Sequence, residues 1–408
     1  MKKESLTPIA AIEPMLPSEA GFESSGLSDR VLELERRASR LGGMVNPIVL
    51  EVITEHMRVI NSYYSNLIEG NSTHPRDIRR AMQGDYSSDP AKRDLQLESI
   101  AHIDVQRILQ NESTSFGDIN SPECFKKIHQ LFYENIPLSL RLVTGSNSSF
   151  REVVPGQFRQ AGEAVQVGRH LPPEAPVLEK FLARFQEAYR LDRLNGYKKV
   201  VAAMAAHHRF VWIHPFLDGN GRVARLYTDL FLKSVGVGGY GVWCISRGLA
   251  RAHTKYKSSL ANADQVRQGD LDGRGALSEQ RLIEFCDFML TTAIGQVDYM
   301  EKLLDLRTMT QRIKAYIEDR NKGLIPGLGK IKPEATRVLE KAFMYGEFER
   351  QNMEEISGLG LSVTRKLIQQ LKEEGLLTET STRSPLRWAI PEHAERFYFP
   401  DLAPEPPG

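Results

Sequence analysis

Apolar side chains recur every three or four residues along most of this chain, and that rhythm predicts a mainly α-helical protein. The clearest run covers 46–68, where Ile48, Val49, Val52, Ile53, Met57, Ile60, Tyr64 and Ile68 share one side. Gly70 suits the C-terminal cap that stops it. Further helices are predicted from about residue 74 and over about 91–109, 122–133, 176–190, 197–212, 220–234, 246–266 and 277–308. The first forty residues mix Pro, Ser, Gly and Glu and read as an arm with one short helix. Only 146–173 breaks the helical spacing: Val153-Val154, Pro155, Phe158, Val165-Gln166-Val167-Gly168 and Pro172-Pro173 predict a short β-hairpin. The expected organisation is a helical region at 1–120, a helical core at 121–310, a Gly- and Pro-containing linker at 311–331, and a small α+β module at 332–408.

Composition narrows this picture modestly. The 408 residues carry 53 Lys and Arg against 52 Asp and Glu, so no overall charge draws the chain to nucleic acid or membrane. Cys124, Cys244 and Cys286 stand singly, without metal-ligand spacing, as in a protein kept reduced. No stretch approaches the ~20 apolar residues of a membrane span, and no signal-peptide core follows the basic start. The expectation is a cytoplasmic protein without membrane contact.

The densest chemistry lies in His214-Pro-Phe-Leu-Asp218-Gly219-Asn220-Gly221-Arg222-Val-Ala-Arg225, where a loop enters a helix. A helix start offers unpaired N–H groups and the positive end of the peptide dipoles, and glycines let an anion reach them. Arg222 and Arg225, three apart, share a face and match phosphate oxygens. Asp218 suits a phosphate-bound Mg²⁺, and the His214 imidazole suits taking a proton from an attacking hydroxyl. Asn-Gly as a hairpin turn is disfavoured by the helical flanks. A calcium loop fails because Arg222 and Val223 stand where a ligand and a glycine belong, and a metal cluster of His207, His208 and His214 lacks acidic partners.

This run resembles the signature of the Fic family, His-x-Phe-x-(Asp/Glu)-Gly-Asn-Gly-Arg-x-x-Arg, at every position. Pro155-Gly-Gln-Phe-Arg159 through Pro173, Ala206 to Ile213, and Arg267-Gln-Gly-Asp270 are similar to the family's flanking segments, so the resemblance covers about 48–290. It implies a helical core with a hairpin flap and AMP transfer from ATP to a target protein's Ser, Thr or Tyr hydroxyl. His214 would be the base, Phe216 an anchor and Asp218 the Mg²⁺ ligand. Gly219, Asn220 and Gly221 would cradle the phosphates, with Arg222 and Arg225 holding the leaving pyrophosphate. Val165, Gln166, Val167 and Gly168 would dock the target by strand-like pairing. Tyr256 is read either as an adenine contact or as a core residue.

Ser65-Asn-Leu-Ile-Glu69-Gly70 is similar to the family's inhibitory motif. A carboxylate at Glu69 can occupy Arg225, with Ser65 one turn earlier to orient it. In the C-terminal module, 353–371 has helix-turn-helix rhythm and 382–388 reads as a wing, so the module resembles a winged helix. Arg365, Lys366, Arg383 and Arg387 suit DNA contact through 353–390, whereas Glu373 and Glu374 favour protein docking or a homodimer. The competing function is a nucleotide-sensing transcriptional regulator; transfer of a different nucleotide by the same loop is a further alternative.

Overall fold

The structure, a computed structural model, describes residues 6–111, 116–144, 150–381 and 383–404. Its helices run in chain order: α1 Glu19–Ser24, α2 Leu27–Gly42, α3 Pro47–Ile68, α4 Pro75–Met82, α5 Pro90–Asn111, α6 Pro122–Tyr133, α7 Leu138–Arg141, α8 Leu178–Ala188, α9 Lys198–Ile213 and α10 Asn220–Ser234. They continue with α11 Ile245–Arg251, α12 His253–Ala263, α13 Glu279–Leu304, α14 Leu306–Asn321, α15 Ala335–Tyr345, α16 Met353–Ser357, α17 Leu361–Glu373 and α18 Glu392–Tyr398. Strands are few. β1 Leu142–Thr144 pairs antiparallel with β2 Phe150–Glu152, while β3 Glu347–Phe348, β4 Leu377–Thr378 and β5 Leu386–Trp388 form a sheet in the order β3-β5-β4. The mainly α expectation holds.

At the centre stands α9, whose Val200 to Phe210 are all buried. A helix apolar on every side has nowhere stable but the interior. It packs against α10, α13, α8 and α2. Arg209, fully buried on α9, gives its Nε and one terminal nitrogen to the Pro14 carbonyl at 3.0 and 2.7 Å, which ties the N-terminal segment to the core.

α3 fits its expected bounds. Asn46 caps it by accepting from the Ile48 N–H, Pro47 takes the first turn, and Gly70 follows its end at φ 97°. The arm expected over the first forty residues is instead α1 and the 16-residue α2. Leu27, Val31, Leu34, Ala38 and Leu41 bury one stripe of α2 along α13, a spacing masked by the polar residues between them. Residues 311–321, expected as linker, are the second half of α14, because Ile313, Tyr316, Ile317 and Arg320 bury a helical face. The 277–308 helix breaks at Asp305, which caps α14 through Thr308 N–H.

The hairpin also sits elsewhere than expected. Strand pairing joins β1 to β2, residues 145–149 fall outside the described residues, and Val165–Gly168 shows only a single bridge, Val167 to His170. With Gly168 at φ 60°, the chain turns too tightly there for a strand. In the C-terminal module, Gly358 at φ 72° turns α16 into α17, and Trp388 on β5 is buried between Phe343 and Tyr398. Among the described residues no helix is long and apolar enough to cross a membrane.

Candidate active site

The loop from α9 to α10 is locked from several sides. His214 ends α9 in the left-handed region, φ 49° and ψ 59°, a conformation an ordinary residue keeps only when its surroundings enforce it. Its N–H bonds the Phe210 carbonyl at 3.0 Å, and its carbonyl accepts from Arg159 Nε at 2.7 Å. The Arg159 guanidinium also bonds the carbonyls of Pro173 at 2.9 Å and Ile213 at 3.3 Å, so one buried side chain staples the flap segment to the loop. Phe216 is fully buried and stacks on His129 at 3.9 Å and 9°. Asn220 closes the loop, accepting from Phe216 N–H and donating to the Phe216 carbonyl, both at 2.9 Å. Its amide is thus committed to the loop's shape. Gly219, at φ 80°, lies against Tyr133, where a Cβ would come within 2.6 Å of the ring.

The imidazole of His214 is held in its neutral form. Burial, helped by the Arg159 charge and by His170, outweighs the opposing Val211 carbonyl and Glu69 and brings its pKa down to about 4, so the ring is neutral at pH 7. Nδ1 lies 3.3 Å from the Val211 carbonyl, which assigns the proton to Nδ1 and leaves the Nε2 lone pair available.

Both arginines are already holding carboxylates. Arg225 is buried and donates from Nε to Ser65 Oγ at 2.9 Å and from one terminal nitrogen to the Ser65 carbonyl at 2.9 Å and Glu69 Oε1 at 2.7 Å. Burial would raise the Glu69 pKa, but the Arg225 and Arg222 charges outweigh it and hold the carboxyl below its usual range. Glu69 lies over the start of α10, where a Cβ at Gly221 would collide with its Oε1. Arg222 pairs with Glu98 and with Asp218 Oδ2 at 3.0 Å, and meets Tyr133 Oη at 3.1 Å; the Tyr133 hydroxyl donates to the same Asp218 oxygen at 2.7 Å. Glu98 also accepts from Asn71 Nδ2 at 2.7 Å.

Sequence reasoning missed Glu98 and Tyr133. The available signal was a polar stripe, Glu98, His102 and Gln106, repeating every fourth residue on the buried side of α5. Tyr256 is buried, its hydroxyl meets His207 Nε2 at 2.7 Å, and Arg225 and Glu69 lie near enough to act on it. Gln166, Val167 and Gly168 are exposed.

Among the described residues no group of three or more His, Cys, Asp or Glu is arranged to hold a metal. Asp218 still fits a nucleotide-borne Mg²⁺, since such an ion takes one or two carboxylates and draws its other ligands from phosphates and water. Its side chain is 39% exposed at the mouth of the loop.

Residues 120–232 match the Fic/DOC family. The chain carries a Fic domain. Ser65, Glu69 and Glu98 lie outside the matched segment but reach into its loop. Over 81 residues, 20% of this chain, it is 38% identical to the protein adenylyltransferase Fic of Drosophila grimshawi and 37% identical to that of Drosophila erecta. The matched stretch spans 16% of each of these relatives. A Fic family protein from Desulfovibrio desulfuricans G20 superposes with a TM-score of 0.51 at 17% identity, covering 94% of this chain and 97% of that one. Fic-1 from C. elegans gives 0.52 at 16% identity, covering 69% and 74%. These structures share the fold.

Proposed function

We propose that this Fic domain transfers AMP from ATP to a Ser, Thr or Tyr hydroxyl of a target protein and is held back by Glu69. The arrangement at Gly221 carries the reading: a side-chain-free helix start, two buried arginines, and a carboxylate lying where a phosphate would bind. His214 Nε2 takes the proton of the attacking hydroxyl. The hydroxyl oxygen bonds to the α-phosphorus as the bond to the bridging α–β oxygen breaks, and pyrophosphate leaves on Arg222 and Arg225. A Mg²⁺ between Asp218 and the phosphates would neutralise charge on the departing group. Gly219 and Gly221 admit the phosphates, while Asn220 keeps the loop in shape. The turn at Val165 to Gly168 offers exposed backbone to an extended target segment.

While Glu69 holds Arg225, a triphosphate can bind only displaced, and a misplacement of about 1 Å costs on the order of 10²-fold in rate. We read 332–404 as a winged helix that docks protein rather than DNA. Its acidic side chains outnumber its basic ones, and three of the latter are ion-paired, Arg387 with Glu347 and both Arg350 and Lys372 with Glu379.

The test supplies α- or γ-labelled ATP, Mg²⁺ and lysate to wild type, Glu69→Gly and His214→Ala. Transfer from the α-label alone, raised in Glu69→Gly and reduced at least 10²-fold in His214→Ala, is the expected result. Label arriving from the γ-position would replace AMP transfer with phosphotransfer.

A further inference from the structure

The brake helix is held from two sides, and only one of them is the Fic loop. On the other side runs the segment that follows α18. Its backbone carbonyls are taken up in succession by side chains of separate elements: Tyr398 by Arg312 of α14 at 2.6 Å, Pro400 by Tyr299 of α13 at 2.6 Å, Asp401 by Arg247 of α11 at 2.7 Å, Leu402 by Tyr64 of α3 at 3.2 Å, and Pro404 by His74, the cap of α4, at 3.2 Å. A chain outside helix and sheet leaves most of its carbonyls without backbone partners, so a stretch with five of them engaged by side chains is held as a bound peptide is held. Asp401 takes φ 61°, a kink that non-glycine residues rarely adopt unless their surroundings fix it. Phe399 and Leu402 are buried, and the Phe399 ring stacks on His56 of α3 at 5.7 Å. Just upstream, Glu395 of α18 receives both terminal nitrogens of Arg79 at 2.6 and 2.8 Å and lies 3.1 Å from His56 Nε2.

We infer that residues 395–404 form a strap which keeps α3, and with it Glu69, in the braking position. The inference rests on the reading of Glu69 as a brake. Its geometric basis is the turn at Tyr64-Ser65. Neighbouring residues on a helix point about 100° apart. Tyr64 points to the strap and to Arg247, while Ser65 points to Arg225 and holds it through both its hydroxyl and its carbonyl. One turn further on, Glu69 completes the contact with Arg225. α3 is thus clasped between strap and site over the same turns, and lifting the strap frees the helix end that carries the carboxylate. Because α18 packs on α14 and follows β5, whatever engages the C-terminal module acts on the brake through this segment.

Two full-length variants test it. Arg79→Ala leaves Glu395 without its guanidinium and should unseat the strap. Tyr64→Phe removes one hydrogen bond while keeping the ring. Transfer from α-labelled ATP should rise about fivefold in Tyr64→Phe, the worth of one neutral hydrogen bond, and further in Arg79→Ala. Amide hydrogen exchange should quicken at 399–404 and at 62–70 together. Neither variant should add to Glu69→Gly, because both act through the same contact. Faster exchange at 399–404 alone, with unchanged transfer in a protein that Glu69→Gly does activate, would overturn the strap and leave the brake standing. If Glu69→Gly itself fails to raise transfer, the brake reading falls, and the mechanical link then stands or falls on exchange at 62–70.

Discussion

Arg225 and Arg320 are both buried arginines, and each meets a glutamate just past the end of another helix, yet the two pairs are engaged differently. Arg320 engages Glu374 with both terminal nitrogens, gives Nε to the Gly329 carbonyl at 2.6 Å, and has Tyr316 Oη at 3.4 Å. Each of its three nitrogens faces an acceptor, and the carboxylate is only 17% exposed. Arg225 touches Glu69 with one nitrogen, and that carboxylate is 36% exposed at the mouth of the Fic loop. A fully engaged fork is a joint, costly to open because each group would be stranded. A single contact beside a glycine and an open loop is a latch, since a phosphate can take over the same donor. On the reading proposed above, the same residue types yield architecture in one place and control in the other, and the number of guanidinium nitrogens on the carboxylate makes the difference.

The largest expected effect lies at the joint. Glu374→Ala strands a buried guanidinium and should lower unfolding stability by about 3–5 kcal/mol, read by denaturant titration, without stimulating AMP transfer per folded molecule. The latch should behave oppositely. Glu69→Gly should raise transfer on the order of 10²-fold and cost only about 1 kcal/mol, because Ser65 still satisfies Arg225 through its hydroxyl and carbonyl. Comparable stability losses in the two variants would erase the distinction between joint and latch.

A smaller effect sharpens what the latch imitates. Gly221→Ala puts a methyl group where the Glu69 carboxylate lies, so it should displace the brake and also deny the same space to phosphate. Transfer should stay low. Added to Glu69→Gly, it should cut the released activity about tenfold, in line with the cost of misplacing reacting groups. Full activity in the double variant would mean that the phosphates bind away from the Gly221 backbone.

Much of the latch was legible in the sequence because its parts are local. The loop-to-helix run from His214 to Arg225 carries its own chemistry, and Ser65 and Glu69 sit one turn apart at the end of a strongly periodic helix. Glu98 and Tyr133 were not legible as site residues. Each occupies an ordinary place on its helix, and only the packing of α5 and α6 against α10 brings them to Arg222 and Asp218. The joint was missed for a related reason: 311–321 lies next to a Gly- and Pro-rich stretch, which drew the linker boundary too early. The strap was invisible because an irregular run of turns has no periodicity, and its partners are spread from Tyr64 to Arg312.

The smallest effect separates the two regions by acid. Around the Fic loop, burial pushes His102, His129 and His207 down to about 3, against an ordinary value of 6.5. The unfolded chain then binds more protons than the folded one between these values. Stability from the neutral histidines is whole above 6.5 and drains as pH falls toward 3, by roughly 1–2 kcal/mol for each between pH 6.5 and 5. At the strap burial likewise lowers the pKa of His56 on α3, whereas the contact of α18 with α4 turns on Glu395. Burial would raise its pKa, but His56 and Arg79 outweigh that and bring it to about 2, from 4.5. Its contribution is whole above 4.5 and drains only below that. Hydrogen exchange followed from pH 7 to 4 should therefore loosen α5, α6, α9 and the turn of α3 at His56 first, while the contact of α18 with α4 through Glu395 and Arg79 stays protected until the pH passes below 4.5. Simultaneous loosening would show that strap and Fic core open as one unit, with the latch given no freedom apart from the joint.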